Sequence, residues 1–427
     1  MQFTAESFFN PHLAIGTSRV DAVITVTATG DGGVGPVKRE GKTLIVFVPD
    51  VSGSMEGDKL DQTKHAIRIG INALDEDCFF SVIPFSTQAQ VLVPATKATL
   101  AAKQAANSAV QSLRASGGTA MSNAIESAQE QAKRLGATIT LVYFVTDGQN
   151  DRADGRYLKD ALAAAEGKLQ ANCWGVGTDW DPHDLRLIAG QLLGTADAVP
   201  NPERLEEAFR SALAQGMAKG VGDVRLRLWM PKTVKPVSIK QMSPEIVDLK
   251  GRCAQVDDKN VDIPLGAWGA ESRDYHIVFE MAPQAEGEEM MVCRPKILYT
   301  EGGAEVPVPG QNIVATWSTD ESLTTRINDH VAHYTGQEEL ASSIKEGLEA
   351  KARGDLDQAT VLFGKAAKIA FETGNDEVTS RLKKVVDVIN ESEGTVRLKS
   401  GASKGDDMEL DMGGTRTVRR KPAAPTV

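Results

Sequence analysis

Asp50, Ser52 and Ser54 in the run Asp50-Val51-Ser52-Gly53-Ser54, then Thr119, then Asp147, form a set of side-chain oxygen donors dispersed over almost a hundred positions. Three hydroxyls and two carboxylates, with no His or Cys nearby in sequence, suit a hard cation such as Mg²⁺, Mn²⁺ or Ca²⁺ rather than Zn²⁺. Only two of the five are acidic. If even one carboxylate acts through water, the ion is under-neutralised and keeps an open position for a carboxylate from outside.

Each donor follows or ends a hydrophobic run. Leu44-Ile45-Val46-Phe47-Val48 reads as a parallel strand covered by helices on both faces, and Asp50 stands just past its carboxyl end. Ile139 to Val145 is a second such run, which Thr146-Asp147-Gly148 terminates in the same way. Ser116-Gly117-Gly118-Thr119 is a glycine-rich turn before a helix starting near Met121. In an open α/β sheet, ligands collect outside the carboxyl ends of the strands, so these loops converge for topological reasons. Between Thr43 and Gly216, apolar strands alternate with amphipathic helices, which implies parallel strands joined by helical crossovers in a doubly wound sheet.

Alone, Asp-x-Ser-Gly-Ser is a common turn composition, because Asp, Ser and Gly all favour turns and helix caps. With the later Thr and the later Asp-Gly in order, it resembles the metal-ion-dependent adhesion site of von Willebrand factor A domains, over roughly residues 41 to 217. The resemblance implies a Rossmann-like fold and a protein-binding rather than enzymatic role. It also implies direct ligation by Ser52 and Ser54, water-orienting roles for Asp50 and Asp147, and a conformation-dependent ligand in Thr119. A Glu or Asp of a partner protein would complete the shell.

Around this 41–217 domain the pattern changes. Residues 1–40 contain strands with no sheet of their own, expected to join a β-sandwich formed by the short alternating runs of 218–318, so that the α/β domain is an insertion. Residues 319–394 turn helical and include one hairpin resembling a tetratricopeptide unit, expected to pack on a neighbour because such repeats do not stand alone. Residues 395–427, rich in Gly, Ser, Lys and Asp, are expected to be disordered.

The net charge of −11, from 58 acidic and 47 basic residues, argues against a nucleic-acid binder, whose footprint is a basic face. No secretory signal pattern is visible at the start, and no apolar run approaches the ~18 residues of a membrane span, so no membrane partner is expected. Cys78, Cys173, Cys253 and Cys293 are far apart and read as reduced residues, consistent with a cytoplasmic compartment. Gly41-Lys42-Thr43 is not a phosphate-binding loop, since Pro36 stands where its first glycine is needed and the run precedes a strand.

Asp147-Gly148-Gln149-Asn150-Asp151 resembles the late acidic motif of haloacid-dehalogenase-type phosphohydrolases. Those enzymes need a second acid two residues after the nucleophilic aspartate, and Ser52 stands there. His330 and His333 share a helix spacing without a third ligand, and Asp181-Pro182 reads as a helix cap. Trp180, in a rim loop, is balanced between core residue and exposed contact.

The basic end, Gly413 to Lys421, resembles the tails of bacterial A-domain proteins found with Ser/Thr kinases and forkhead-associated (FHA) domains, which makes Thr415 and Thr417 candidate phosphoacceptors. The overall expectation is a bacterial, metal-dependent signalling or assembly scaffold. The alternative is a subunit coupled to a MoxR- or chelatase-type AAA+ ATPase.

Overall fold

A computed structural model describes residues 1–30, 41–178 and 180–420. The chain opens with strands β1 (Gln2–Phe9), β2 (His12–Ala14) and β3 (Arg19–Thr29). The α/β region follows in the order β4 (Thr43–Pro49), α1 (Asp58–Ala73), β5 (Phe79–Val82), β6 (Val93–Lys97), α2 (Leu100–Gln111), α3 (Met121–Leu135), β7 (Ile139–Thr146), α4 (Gly155–Ala165), β8 (Gln170–Val176), α5 (Pro182–Gln191), β9 (Ala196–Val199) and α6 (Leu205–Met217). The described residues 41–223 with 266–269 form one compact unit, and the remainder form the other.

In the α/β unit, six strands lie in the order β6-β5-β4-β7-β8-β9. All neighbours are parallel except the edge pair β5 and β6, which is antiparallel. The central strands β4 and β7 are buried along their whole length, as apolar runs covered on both faces must be. Between sheet and helices, Phe47 stacks on Phe209 at 5.7 Å and Tyr143 on Trp174 at 5.9 Å, ring pairs that add directional packing to the burial of large apolar area. Because β4 and β7 are adjacent and parallel, their carboxyl ends bring residues 50 and 147 to the same rim.

The second unit contains β10 (Val221–Trp229), whose first residues belong to the α/β unit, then β11 (Lys235–Ser243), β12 (Val247–Asp248), β13 (Ala254–Gln255), β14 (Asn260–Trp268), whose last residues belong to the α/β unit, β15 (Ser272–Glu280), β16 (Glu289–Glu301), β17 (Ala304–Pro309) and β18 (Ile313–Ser318). They form two sheets, β1-β3-β15-β11-β12 and β13-β14-β10-β16-β18-β2, with β17 added on β16. Phe3 of β1 lies 4.8 Å from Tyr299 of β16, joining one sheet to the other. The amino-terminal strands are integral here: β3 pairs antiparallel with β15, and β2 runs parallel to β18.

Helices α7 (Glu321–Thr324), α8 (Asp329–Ala352), α9 (Leu356–Thr373) and α10 (Asp376–Val385) follow, then the hairpin β19 (Val386–Asn390) and β20 (Thr395–Leu398), and α11 (Lys404–Gly413). Helices α8 and α9 form a hairpin in which the Phe363 ring fills the space left by Gly347.

The expectation of a disordered end from residue 395 is corrected for the described part, 395–420. Val396, Met408, Leu410 and Met412 are buried, so the polar composition hides enough apolar side chains to dock the segment. A capping box between Ser403 and Asp406 starts α11. Thr415 to Arg420 then run along the same unit, and residues 421–427 lie outside the described residues.

Candidate metal-binding site at the strand edge

Three loops meet at the carboxyl edge of β4 and β7, and backbone hydrogen bonds stitch them together. Gly53 N–H donates to Gly117 C=O at 3.0 Å and Ser116 N–H to Val51 C=O at 2.7 Å, joining the 50–54 loop to the 116–119 turn. Asp151 N–H donates to Thr119 C=O at 2.8 Å, joining that turn to the loop after β7. Rigid stitching of this kind fixes side chains that are far apart in sequence.

The five donors predicted from sequence fall in this cluster. Ser54 Oγ donates to Asp147 Oδ1 at 2.7 Å and lies 3.1 Å from Ser52 Oγ. Ser52 N–H donates to Asp50 Oδ1 at 2.7 Å. Thr119 is placed by Gly148: a Cβ added there would stand 3.1 Å from Thr119 Oγ1 and 3.7 Å from Ser54 Oγ, so both hydroxyls border the same point. Asp50, Ser52, Thr119 and Asp147 are buried, and Ser54 is exposed at the rim.

The two carboxylates differ in how they are held. Among the described residues Asp50 accepts only from neutral donors, the Ser52 N–H and the Thr146 hydroxyl at 2.5 Å. Burial pushes its carboxyl up to about 6; the bonds from Thr146 and Ser52 work against this and the charge of Asp147 adds to it. Asp147 instead meets the Lys59 ammonium, 2.5 Å from its Oδ2.

This donor set fits a hard divalent cation. A buried carboxylate without a cation beside it is costly, and hydroxyl and carboxylate oxygens at one rim match the ligand preference of Mg²⁺, Mn²⁺ or Ca²⁺. Ser52, Ser54, Thr119, Asp50 and Asp147 are the residues that would hold it.

Thr146 and Lys59 escaped the sequence reading. Lys59 had a signal: a cation in the first turn of a helix opposes the helix dipole, so it implies an acidic partner in the fold. Thr146 had none, since its hydroxyl is the polar end of an otherwise apolar strand. Asp151 also belongs to the rim, accepting from Thr119 N–H at 3.2 Å.

Other candidates resolve differently. Trp180 is buried, with its indole N–H donating to Gly177 C=O at 3.0 Å, so it is a core residue. Asp181 caps α5 by accepting from His183 N–H at 2.9 Å. His330 stacks on Phe8 with ring centroids 3.7 Å apart, and His333 lies 2.7 Å from the carbonyl of Val418, so both serve packing and docking. Thr415 and Thr417 are half-buried: the Thr415 hydroxyl donates to Glu245 Oε1 at 2.7 Å, and that of Thr417 donates to the Met242 carbonyl.

Comparison with known proteins finds relatives of the chain and of its fold. Residues 43–198 match the von Willebrand factor type A domain, and residues 368–414 match the von Willebrand factor type A C-terminal domain. A solved structure, a von Willebrand factor type A protein from Catenulispora acidiphila, is 37% identical with a TM-score of 0.90, covering 98% of this chain and 97% of that one. The ArnB paralog VWA2 from Sulfolobus acidocaldarius superposes with a TM-score of 0.61 at 14% identity, covering 97% of this chain and 98% of that one, a likeness of fold alone. The Synechocystis protein sll0103 is 32% identical over 212 residues, 48% of this chain. The chain spans half the length of that relative.

Proposed function

The chain belongs to the von Willebrand factor type A family, and from that premise we propose that it is a non-enzymatic, metal-dependent protein-binding module. Asp50, Ser52, Ser54, Thr119 and Asp147 would hold Mg²⁺, with Mn²⁺ or Ca²⁺ as substitutes. The ion supplies a Lewis-acidic position that an acidic side chain of a partner protein can occupy. The observation that carries this reading is the pairing of Asp50, buried with neutral donors alone among the described residues, with the Thr119 and Ser54 hydroxyls that border one point beside Gly148.

The chain's own residues do the positioning. Ser52 and Ser54 contribute oxygens without charge, so binding an ion would not saturate its demand for anions. Ser54, exposed at the rim, marks the side from which a partner approaches. Ser52 stands where a phosphohydrolase needs a proton donor, and a serine hydroxyl is too weak an acid for that task, which supports a binding role over hydrolysis.

The four cysteines are free thiols, three of them buried, as suits a reducing cytoplasm. Similarity to a bacterial protein supports a bacterial setting and a role as a signalling or assembly scaffold. In such a scaffold, Thr415 and Thr417 would be phosphoacceptors for a Ser/Thr kinase and ligands for an FHA-type reader.

The test is capture of partners from a bacterial lysate on the immobilised full chain. Capture should be lost on chelation with EDTA, return with Mg²⁺, and be absent for Asp50→Ala while circular dichroism shows a cooperative melt. Capture indifferent to EDTA would overturn the reading.

A further inference from the structure

Among the described residues, Lys59 is the one cation paired with either carboxylate of the proposed site. Its ammonium lies 2.5 Å from Asp147 Oδ2, while Asp147 Oδ1 accepts the Ser54 hydroxyl at 2.7 Å. The stem of Lys59 passes over Gly177, whose φ of +79° favours glycine and where an added Cβ would stand 3.2 Å from Lys59 Cε. The lysine is thus seated between a fully buried carboxylate and a bare stretch of backbone, and is only 25% exposed itself.

Accepting the ion site proposed above, we propose that Lys59 is a specificity-determining residue that acts in opposite directions on the two things the site binds. Its fixed positive charge weakens the hold on a divalent cation and strengthens the hold on an acidic group.

The reasoning is electrostatic. Asp147 is already matched by Lys59, so of the two carboxylates in the donor set only Asp50 stands without a cation among the described residues. The remaining ligands are neutral hydroxyls, and Asp151 touches the rim through the Thr119 amide. A unit charge a few ångströms from a divalent ion, at the effective dielectric of a protein rim, changes affinity by about tenfold or more. The same charge attracts a carboxylate arriving from solvent. A purely structural lysine would instead, on removal, loosen Asp147 and weaken both.

The test uses the full chain with Mn²⁺ as the cation and acetate as the acid. Mn²⁺ affinity is measured by electron paramagnetic resonance, and acetate access by the relaxation that bound Mn²⁺ imposes on the acetate methyl protons. Lys59→Met should bind Mn²⁺ about tenfold or more tightly and show severalfold weaker acetate relaxation, while Lys59→Arg, which keeps the charge, should return both toward the parent. Lys59→Gln serves if the Met variant does not melt cooperatively.

No Mn²⁺ binding by the parent chain would remove the ion site itself, and this inference with it. Mn²⁺ binding by the parent with both quantities unchanged, or both falling together, in the neutral variants would overturn the role of Lys59 and leave the ion site standing.

Discussion

Arg419 Nε lies 2.8 Å from Asp274 Oδ2, so a residue near the end of the chain neutralises a carboxylate buried in strand β15. Asp274 also accepts from the Tyr334 hydroxyl at 2.6 Å and from the Thr25 hydroxyl. One side chain therefore ties together an amino-terminal strand, helix α8 and the carboxyl-terminal segment. Arg419→Met should lower unfolding free energy by about 1–3 kcal/mol, because the two hydroxyls remain but the charge is left unmatched. Urea denaturation of the parent, Arg419→Met, Asp274→Asn and the double variant checks it. A coupling energy indistinguishable from zero would show that the contact is incidental.

Around His276 the unit carries a pH dependence with a determinate sign. Burial disfavours the charged ring, but its bonds to Asp21 at 3.2 Å and Glu338 at 3.3 Å outweigh that and raise its proton affinity. A raised histidine stabilises fully below its unfolded value, ~6.5, and the contribution is lost as pH climbs through the folded value. Burial works against the charged carboxylates of Asp21 and Glu338 too, yet His276 with Arg19 and His276 with Lys240 respectively hold both below the ordinary range. That part of the stabilisation disappears in acid. The cluster should thus contribute most between about pH 4.5 and 6.5. Comparing unfolding free energies of the parent and His276→Gln from pH 4 to 9 should show a gap that narrows above pH 7, and a constant gap would refute it.

Gly148 offers a local test of the rim. An added Cβ would press on Thr119 Oγ1 at 3.1 Å, so the threonine hydroxyl must shift by a few tenths of an ångström while the sheet beneath is untouched. Gly148→Ala should reduce Mg²⁺ affinity severalfold, measured by calorimetry, with a melting temperature within about 2 °C of the parent. Unchanged affinity would remove Thr119 from the donor set.

Phosphorylation of Thr415 would set a phosphate against Glu245, whose Oε1 accepts the threonine hydroxyl at 2.7 Å. A modification adding about −1.5 to −2 charge there repels the carboxylate and should detach the segment. Thr415→Glu should speed trypsin cleavage at Arg416 and Arg419 severalfold, and Glu245→Gln in the same chain should slow it again. Equal cleavage rates in all three proteins would contradict the mechanism.

The α/β fold was legible because β4 and β7 are mostly apolar runs buried along their length and each is followed at once by an acid that a central strand would not carry, Asp50 and Asp147. Parallel pairing then leaves no choice about which rim they share. Lys59 was less legible, since its partner lies 88 residues away and nothing local names it. The docked end was misread for a different reason. Composition counts residues without position or partner: Met408, Leu410 and Met412 are buried, and two of the acids between and beside them, Asp407 and Glu409, are paired with Lys351 and Lys384.

The pairing of β3 with β15 has a consequence for biosynthesis. Thr27 meets Ser272 across 245 residues, so one edge of β3 has no neighbour until most of the chain has left the ribosome. At ordinary elongation speeds of ~5–20 residues per second, that interval is on the order of tens of seconds. The intervening α/β unit, built from contacts closer in sequence, has time to fold within it. The newborn chain thus carries an unpaired edge of β3 for much of its synthesis, and the sandwich closes only after the α/β unit has been made.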